Sequence, residues 1–231
     1  AHFFHHSGMP VLHEPTPKPS DGVDRNHALN AHLVVVDADA GLVAPAPGTD
    51  KRRGIVICGF ASSTRRYILD WCTRPGWEIW GLNQLYRHLP RADRWFDIHW
   101  NWDSETVPGT DHREWIKQCG IPFYLMERQK DLPTSVRYPI ERVMQHFGGI
   151  DYFTSTIPYM LALAVMEIDE DVKTRLKNRA DAEYTQKLAT GAETETPDFQ
   201  QIMRDLYGEY SIAIFGIDLV VGGEYFSEKP C

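Results

Sequence analysis

Short apolar runs alternating with helix-patterned segments from residue 51 onward predict an α/β fold. The pattern implies a three-layer sandwich: a mostly parallel sheet with helices on both faces. A second observation supports this. The run 55–58 stops at Gly59, passes through small polar residues and enters a helix-like stretch at 65–71, as a strand–turn–helix unit does. Composition agrees, since 42% hydrophobic and 24% charged residues are ordinary for a globular chain.

Residues 1–50 read as a separate extended arm or linker. Histidines at 2, 5, 6 and 13 and recurrent prolines dominate it, and Pro-rich polar segments bury too little surface to offset ordering entropy. Within it only 34–36 has strand character. The remainder, 51–231, reads as one domain. Strands are expected at 55–58, 77–82, 93–100, 122–126 and 211–215. Helices are expected at 65–71, from Asp111 through Ile116, and from Pro139 to Phe147, where Gly148 and Gly149 stop the helix. An apolar helix should run from 155 to 167. The charged stretch at about 169–208 reads as an insertion of one or two surface helices broken at Gly191 and Pro197.

The net charge of −8 argues against a dedicated duplex-DNA binder, although Lys51, Arg52, Arg53, Arg65 and Arg66 flank the glycine turn and leave a local basic groove open. Cys58, Cys72, Cys119 and Cys231 are widely spaced and form no Cys-x-x-Cys pair, which fits a reducing compartment. The N-terminal histidines lack carboxylate or thiol partners at ligand spacing, so no metal is expected. No apolar run approaches the ~20 residues of a membrane span, and a cytoplasmic protein is expected. The chain starts at Ala1 and stops at Cys231 just after a strand and loop, so it is expected to be a fragment.

In a parallel sheet with helices on both faces, ligands bind beyond the carboxyl ends of the strands. The residues there are Gly59, Ser62, Ser63 and Thr64, then Asn83, Asp97 and His99, and Asp218. A glycine turn running into a helix start at 62–64 offers N–H groups and hydroxyls to a phosphate; strand–Gly–helix units also arise for packing alone. Asn83 can donate and accept toward a ribose or base edge, or can cap the helix after it. Asp97 and His99 lie two apart and share a face, which suits a carboxylate-oriented general base; Trp95 has the same parity, so a packed polar-aromatic face is the alternative. Ser155 and Thr156 open the apolar helix, as a second anion site or as plain caps. Asp218 and Tyr225 follow the last strand, where a carboxylate either binds a ligand or forms a turn. Tryptophans 71, 77, 80, 95, 100 and 102 are dense enough that some are expected to line a pocket for a base or sugar.

The segments 55–63, 80–86, 154–164 and 212–219 are similar, in order, to segments of bacterial lipooligosaccharide sialyltransferases and of a wider set of uncharacterised Rossmann-like proteins, many carried by bacteriophages. The phage-borne proteins resemble this chain more closely through residues 96–99 and 224–231. The resemblance covers roughly 54–90 and 152–226. It implies a Rossmann-like domain in which Gly59 with Ser62 or Ser63 forms the nucleotide-facing turn. It further implies that Asn83 contacts the nucleotide, Ser155 and Thr156 form the helix start at the same site, and Tyr225 holds the leaving phosphate. The turn lacks the family's Asn and Pro, Thr156 stands where the family has glycine, and the family's histidine base lies beyond Cys231, leaving His99 as the candidate base.

The function implied is a nucleotide or nucleotide-sugar binding transferase of glycosyltransferase type, using a CMP- or UDP-type donor and requiring no metal. The alternative is a non-catalytic phage accessory or virion-associated protein whose N-terminal arm engages a protein partner. A nucleotide-dependent enzyme acting on DNA is a third, weaker reading.

Overall fold

The structure is a computed structural model that describes residues 32–35, 53–99, 111–149, 153, 155–190 and 198–217. Seven strands form one sheet: β1 (His32–Val35), β2 (Arg53–Cys58), β3 (Trp77–Leu82), β4 (Arg94–Phe96), β5 (Phe123–Leu125), β6 (Ser135–Arg137) and β7 (Tyr210–Phe215). Their order is β1-β7-β2-β3-β4-β5-β6, and every adjacent pair is parallel. The fold is therefore α/β and Rossmann-like, with helices α1 (Ser62–Arg65), α2 (Ile68–Cys72), α3 (Asp111–Gln118), α4 (Ile140–His146), α5 (Thr156–Thr190) and α6 (Phe199–Gly208).

The three layers follow from the period of two along each strand. Ile57, Trp80, Phe96, Ile212 and Ile214 point to one face and pack with Val143 of α4, Leu163 of α5 and Leu206 of α6. Val56, Cys58, Ile79, Trp95, Ala213 and Phe215 point to the other and pack with Ile68 and Trp71 of α2 and Ile116 of α3. Because both parities are buried, the strands read as continuous apolar runs, as parallel strands do.

Several expectations change. The third strand stops at Phe96, so Asp97 and His99 stand in the stretch just beyond it. A strand absent from the expected set, β6, lies between the one expected at 122–126 and the helix from Pro139, paired through Phe123↔Ser135 and Leu125↔Arg137. The helix expected at 65–71 is two short ones. The apolar helix does not end at 167: α5 continues unbroken for 35 residues, roughly 50 Å at 1.5 Å per residue. Asp169, which reads as the start of a surface segment, is buried because His146 Nε2 sits 2.9 Å from its Oδ2 and the Tyr207 hydroxyl donates to Oδ1 at 2.9 Å. Gly191 and Pro197 fall between α5 and α6, where Asp198 caps α6 by accepting from the Gln200 and Gln201 N–H groups. Residues 32–35, within the segment read as an arm, add β1 to the sheet edge beside β7.

No helix among the described residues is long and apolar enough to cross a membrane. Tryptophans 71, 77, 80 and 95 are core residues, and none of them lines the cleft beyond the carboxyl ends of the strands. Trp71 packs edge-on to Trp77, Trp80 against Phe96, and Trp95 edge-on to Trp115. Trp100 and Trp102 lie outside the described residues.

Candidate functional site

From β2 the sheet grows outward through β3 to β6 on one side, while β7 and then β1 lie on the other. Between β2 and β7 the strand order therefore reverses, and a crevice at such a switch point is where open α/β sheets take ligands. Cys58 and Phe215 are paired in register there. Beyond them, the Gly59 N–H donates to the Phe215 carbonyl at 2.7 Å and the Ala61 N–H to the Gly216 carbonyl at 2.8 Å. The two turns touch. A Cβ on Gly59 would lie 2.3 Å from the Gly216 oxygen, and one on Gly216, whose φ is +69°, would lie 2.2 Å from the Gly59 oxygen. The buried Thr64 hydroxyl completes the join by accepting from the Gly216 N–H at 2.7 Å.

β3 ends at Leu82, and Asn83 starts a 3-10 helix (Asn83–Arg87) with φ of 44°, a left-handed conformation that Asn tolerates better than most residues. Its carbonyl accepts from Trp95 Nε1 at 2.9 Å. Leu82 occupies the cap position and no side chain caps that helix, so Asn83 is not its cap. Its Oδ1 is buried with no hydrogen-bond partner among the described residues.

Beyond β4, Asp97 is 2% exposed. Its Oδ1 meets His99 Nδ1 and its Oδ2 lies 3.1 Å from His112 Nε2. Burial pushes the Asp97 carboxyl upward, but hydrogen bonds from His112 and His99, and their charge, outweigh it and hold the group below its usual range. An ionised Asp97 accepts, so His99 presents Nδ1–H to it.

These strand ends and the start of α5 surround one open cleft of about 530 Å³. Gly59, Asn83, His99, Ser155, Thr156 and Gly216 line it, with Phe60, Leu82, Ile98, Ile157 and Ile217 as an apolar flank. No Lys or Arg is among the described residues that line it. Arg53 stands at the opposite end of β2, near Asp171, while Arg65 donates to the Phe60 carbonyl and Arg66 to the Tyr67 hydroxyl.

The sequence-derived candidates divide accordingly. Gly59, Asn83, His99, Ser155 and Thr156 come to one cleft, and Asp97 stands behind His99. Ser62 and Thr64 do not line it; Ser62 is exposed on α1, and the Thr64 hydroxyl is already engaged with Gly216. Ser63 is the second residue of α1. Asp218 and Tyr225 lie outside the described residues. His112 was not a sequence candidate. Its signal is faint: a histidine four residues before Ile116, on the inward stripe of an eight-residue helix. Among the described residues no group of three or more His, Cys, Asp or Glu side chains could hold a metal.

No protein-family model matches the chain, and no curated protein matches it significantly. Among solved structures it is similar to an alpha-2,3-sialyltransferase from Campylobacter jejuni, at 11% identity and a TM-score of 0.29 over 74% of this chain. The match spans 62% of that enzyme's length. A likeness this slight carries no part of the reading that follows.

Proposed function

We propose that the chain is a nucleotide or nucleotide-sugar binding transferase of glycosyltransferase, sialyltransferase-like type, taking a CMP- or UDP-type donor in the cleft at the switch point. The observation that carries the reading is the convergence of an unpaired acceptor, an oriented imidazole and a long helix's N-terminus on that cleft. Asn83 Oδ1 calls for a donor, which a ribose hydroxyl or a base N–H supplies. The first-turn N–H groups of α5 have no acceptor within the helix and suit a phosphate, beside the Ser155 and Thr156 hydroxyls. The apolar flank accommodates the face of a base. The four sequence segments that resemble sialyltransferases contribute Gly59, Asn83, Thr156 and Gly216 to the same walls.

In this mechanism His99 Nε2 takes the proton of an acceptor hydroxyl while that oxygen bonds to the donor sugar carbon. The bond from this carbon to the phosphate oxygen breaks, and its electron pair leaves on the nucleotide phosphate. The α5 N–H groups and, by resemblance, Tyr225 stabilise that charge as it develops, where such a site gains its rate, and Asp218, after the last strand, accepts from a ribose or sugar hydroxyl. The Gly59–Gly216 join keeps the turn in place and Thr64 secures it, with Ser62 exposed on the turn's outer side. The reading needs no metal.

Thermal unfolding with CMP, UMP, UDP-sugars, ADP and NAD, on wild type and Asn83→Ala, tests the proposal. One pyrimidine nucleotide at 100 times its Kd should raise the wild-type midpoint by roughly 5–10 °C, and Asn83→Ala should lose most of the shift. No response to any nucleotide would overturn the proposal and favour a non-catalytic scaffold whose arm meets a protein partner.

A further inference from the structure

Phe60 and Ile217 are large apolar side chains left 44% and 37% exposed. Single exposed apolar residues are ordinary on a folded surface. These two stand together: Phe60 follows Gly59 on the turn after β2, Ile217 follows Gly216 on the turn after β7, and both line the cleft at the switch point. The turns hold them there. On either side of Phe60 the Gly59 and Ala61 N–H groups donate to the Phe215 and Gly216 carbonyls, and the Phe60 carbonyl accepts from Arg65 Nη1 at 3.1 Å. The Gly216 N–H is held in turn by Thr64 Oγ1. Between the two turns there is no room even for a Cβ, so the Phe60 ring has no way inward at their join. It also meets no other ring among the described residues, whereas Trp71, Trp80, Tyr86 and Trp95 each pack against another aromatic side chain.

An apolar surface held open in the same cleft as an unpaired acceptor, Asn83 Oδ1, suits a ligand with an apolar face and a polar edge. A nucleobase has that form: its faces stack on an aromatic ring while its edge carries N–H groups. A lipid chain brings no donor for Asn83, and a bare sugar phosphate brings no flat face. We propose that Phe60 is the stacking platform for the base and sets the preference of the cleft for a nucleotide over a sugar phosphate, with Ile217 extending the same apolar surface. The ring acts on the base alone, so a ligand without a base gains nothing from it. This rests on the nucleotide-binding reading of the cleft and names the residue that selects for the base.

Calorimetric titration of the full chain with CMP, UMP and ribose 5-phosphate tests it, on wild type, Phe60→Ala, Phe60→Leu and Phe60→Trp. Because Phe60 is exposed, the variants should keep the wild-type unfolding midpoint, measured first without ligand. Base–aromatic stacking lost on truncation to alanine is worth a factor of about 5 to 100 in affinity. Phe60→Ala should weaken the nucleotide that wild type binds best by about that factor. Phe60→Leu, apolar but without a π face, should fall toward the alanine variant, and Phe60→Trp should bind at least as tightly as wild type. Ribose 5-phosphate should bind all four proteins alike, and more weakly than the nucleotide binds wild type. A nucleotide held equally by wild type and Phe60→Ala would overturn the inference and leave the proposed function standing. An equal loss for nucleotide and ribose 5-phosphate would overturn it as well, since the ring would then shape the turn or meet the sugar. So would a Phe60→Leu variant as tight as wild type, because apolar bulk alone would suffice. Failure of wild type to bind any nucleotide would sink the proposed function and the platform with it.

Discussion

Gly59 and Gly216 leave no room for a side chain between them, so the join of the two turns depends on backbone contacts and one hydroxyl. Thr64 is 3% exposed, and its Oγ1 accepts the Gly216 N–H. Thr64→Val keeps the shape and removes the acceptor, leaving a buried N–H unpaired at a cost of about 1–3 kcal/mol. We expect the variant's denaturant midpoint to fall accordingly with an unchanged m-value; an unchanged midpoint would mean that the Gly216 N–H finds another acceptor. Gly59 and Asn83 were legible as strand-ending residues, because each interrupts an apolar run at its end. The use made of Thr64 was not. A hydroxyl near a glycine turn reads the same whether it awaits an anion or a backbone N–H 152 residues away.

At the scale of elements, α5 changes character along its length. Tyr159, Met160, Leu163, Ala164 and Met166 are buried against the sheet, whereas Tyr184 and Leu188 are 65% and 69% exposed. Leu163→Ala should cost about 2–5 kcal/mol, while Leu188→Ala should stay within about 0.5 kcal/mol of wild type. Equal losses in chemical denaturation would show that the distal half of the helix is also packed. β3 was readable to its ends because Gly76 and Asn83 bound an apolar run. β6 was not, since it has three residues and two of them are exposed, so that sheet pairing and not side-chain burial defines it. The continuity of α5 was hidden for a different reason. Asp169 looks like a surface residue until His146 on α4 and Tyr207 on α6 are brought against it, and a linear sequence does not reveal partners 23 and 38 positions distant. His112 was missed in the same way, because its partner Asp97 is supplied by another element.

Across the whole molecule, the two ends of the sheet differ in how their polar groups are used. At the amino ends of the strands a hollow of about 420 Å³ is bordered by Arg53, Glu78, Arg94, Glu167 and Asp171. Those charges pair with one another: Arg94 Nη1 lies 2.7 Å from Glu167 and Nε 3.0 Å from Glu78. At the carboxyl ends, the cleft instead presents an unpaired Asn83 Oδ1 and the start of α5. A net charge of −8 and a cleft without Lys or Arg among its described lining imply that a phosphate there is met chiefly by N–H groups and hydroxyls. Methyl-labelled NMR with the pyrimidine nucleotide that stabilises the chain decides between the two ends. Binding in the cleft predicts shifts confined to Leu82, Ile98, Ile157 and Ile217 around it. Shifts at Ile55 and Ile168 beside the opposite hollow, with the cleft methyls unmoved, would contradict it.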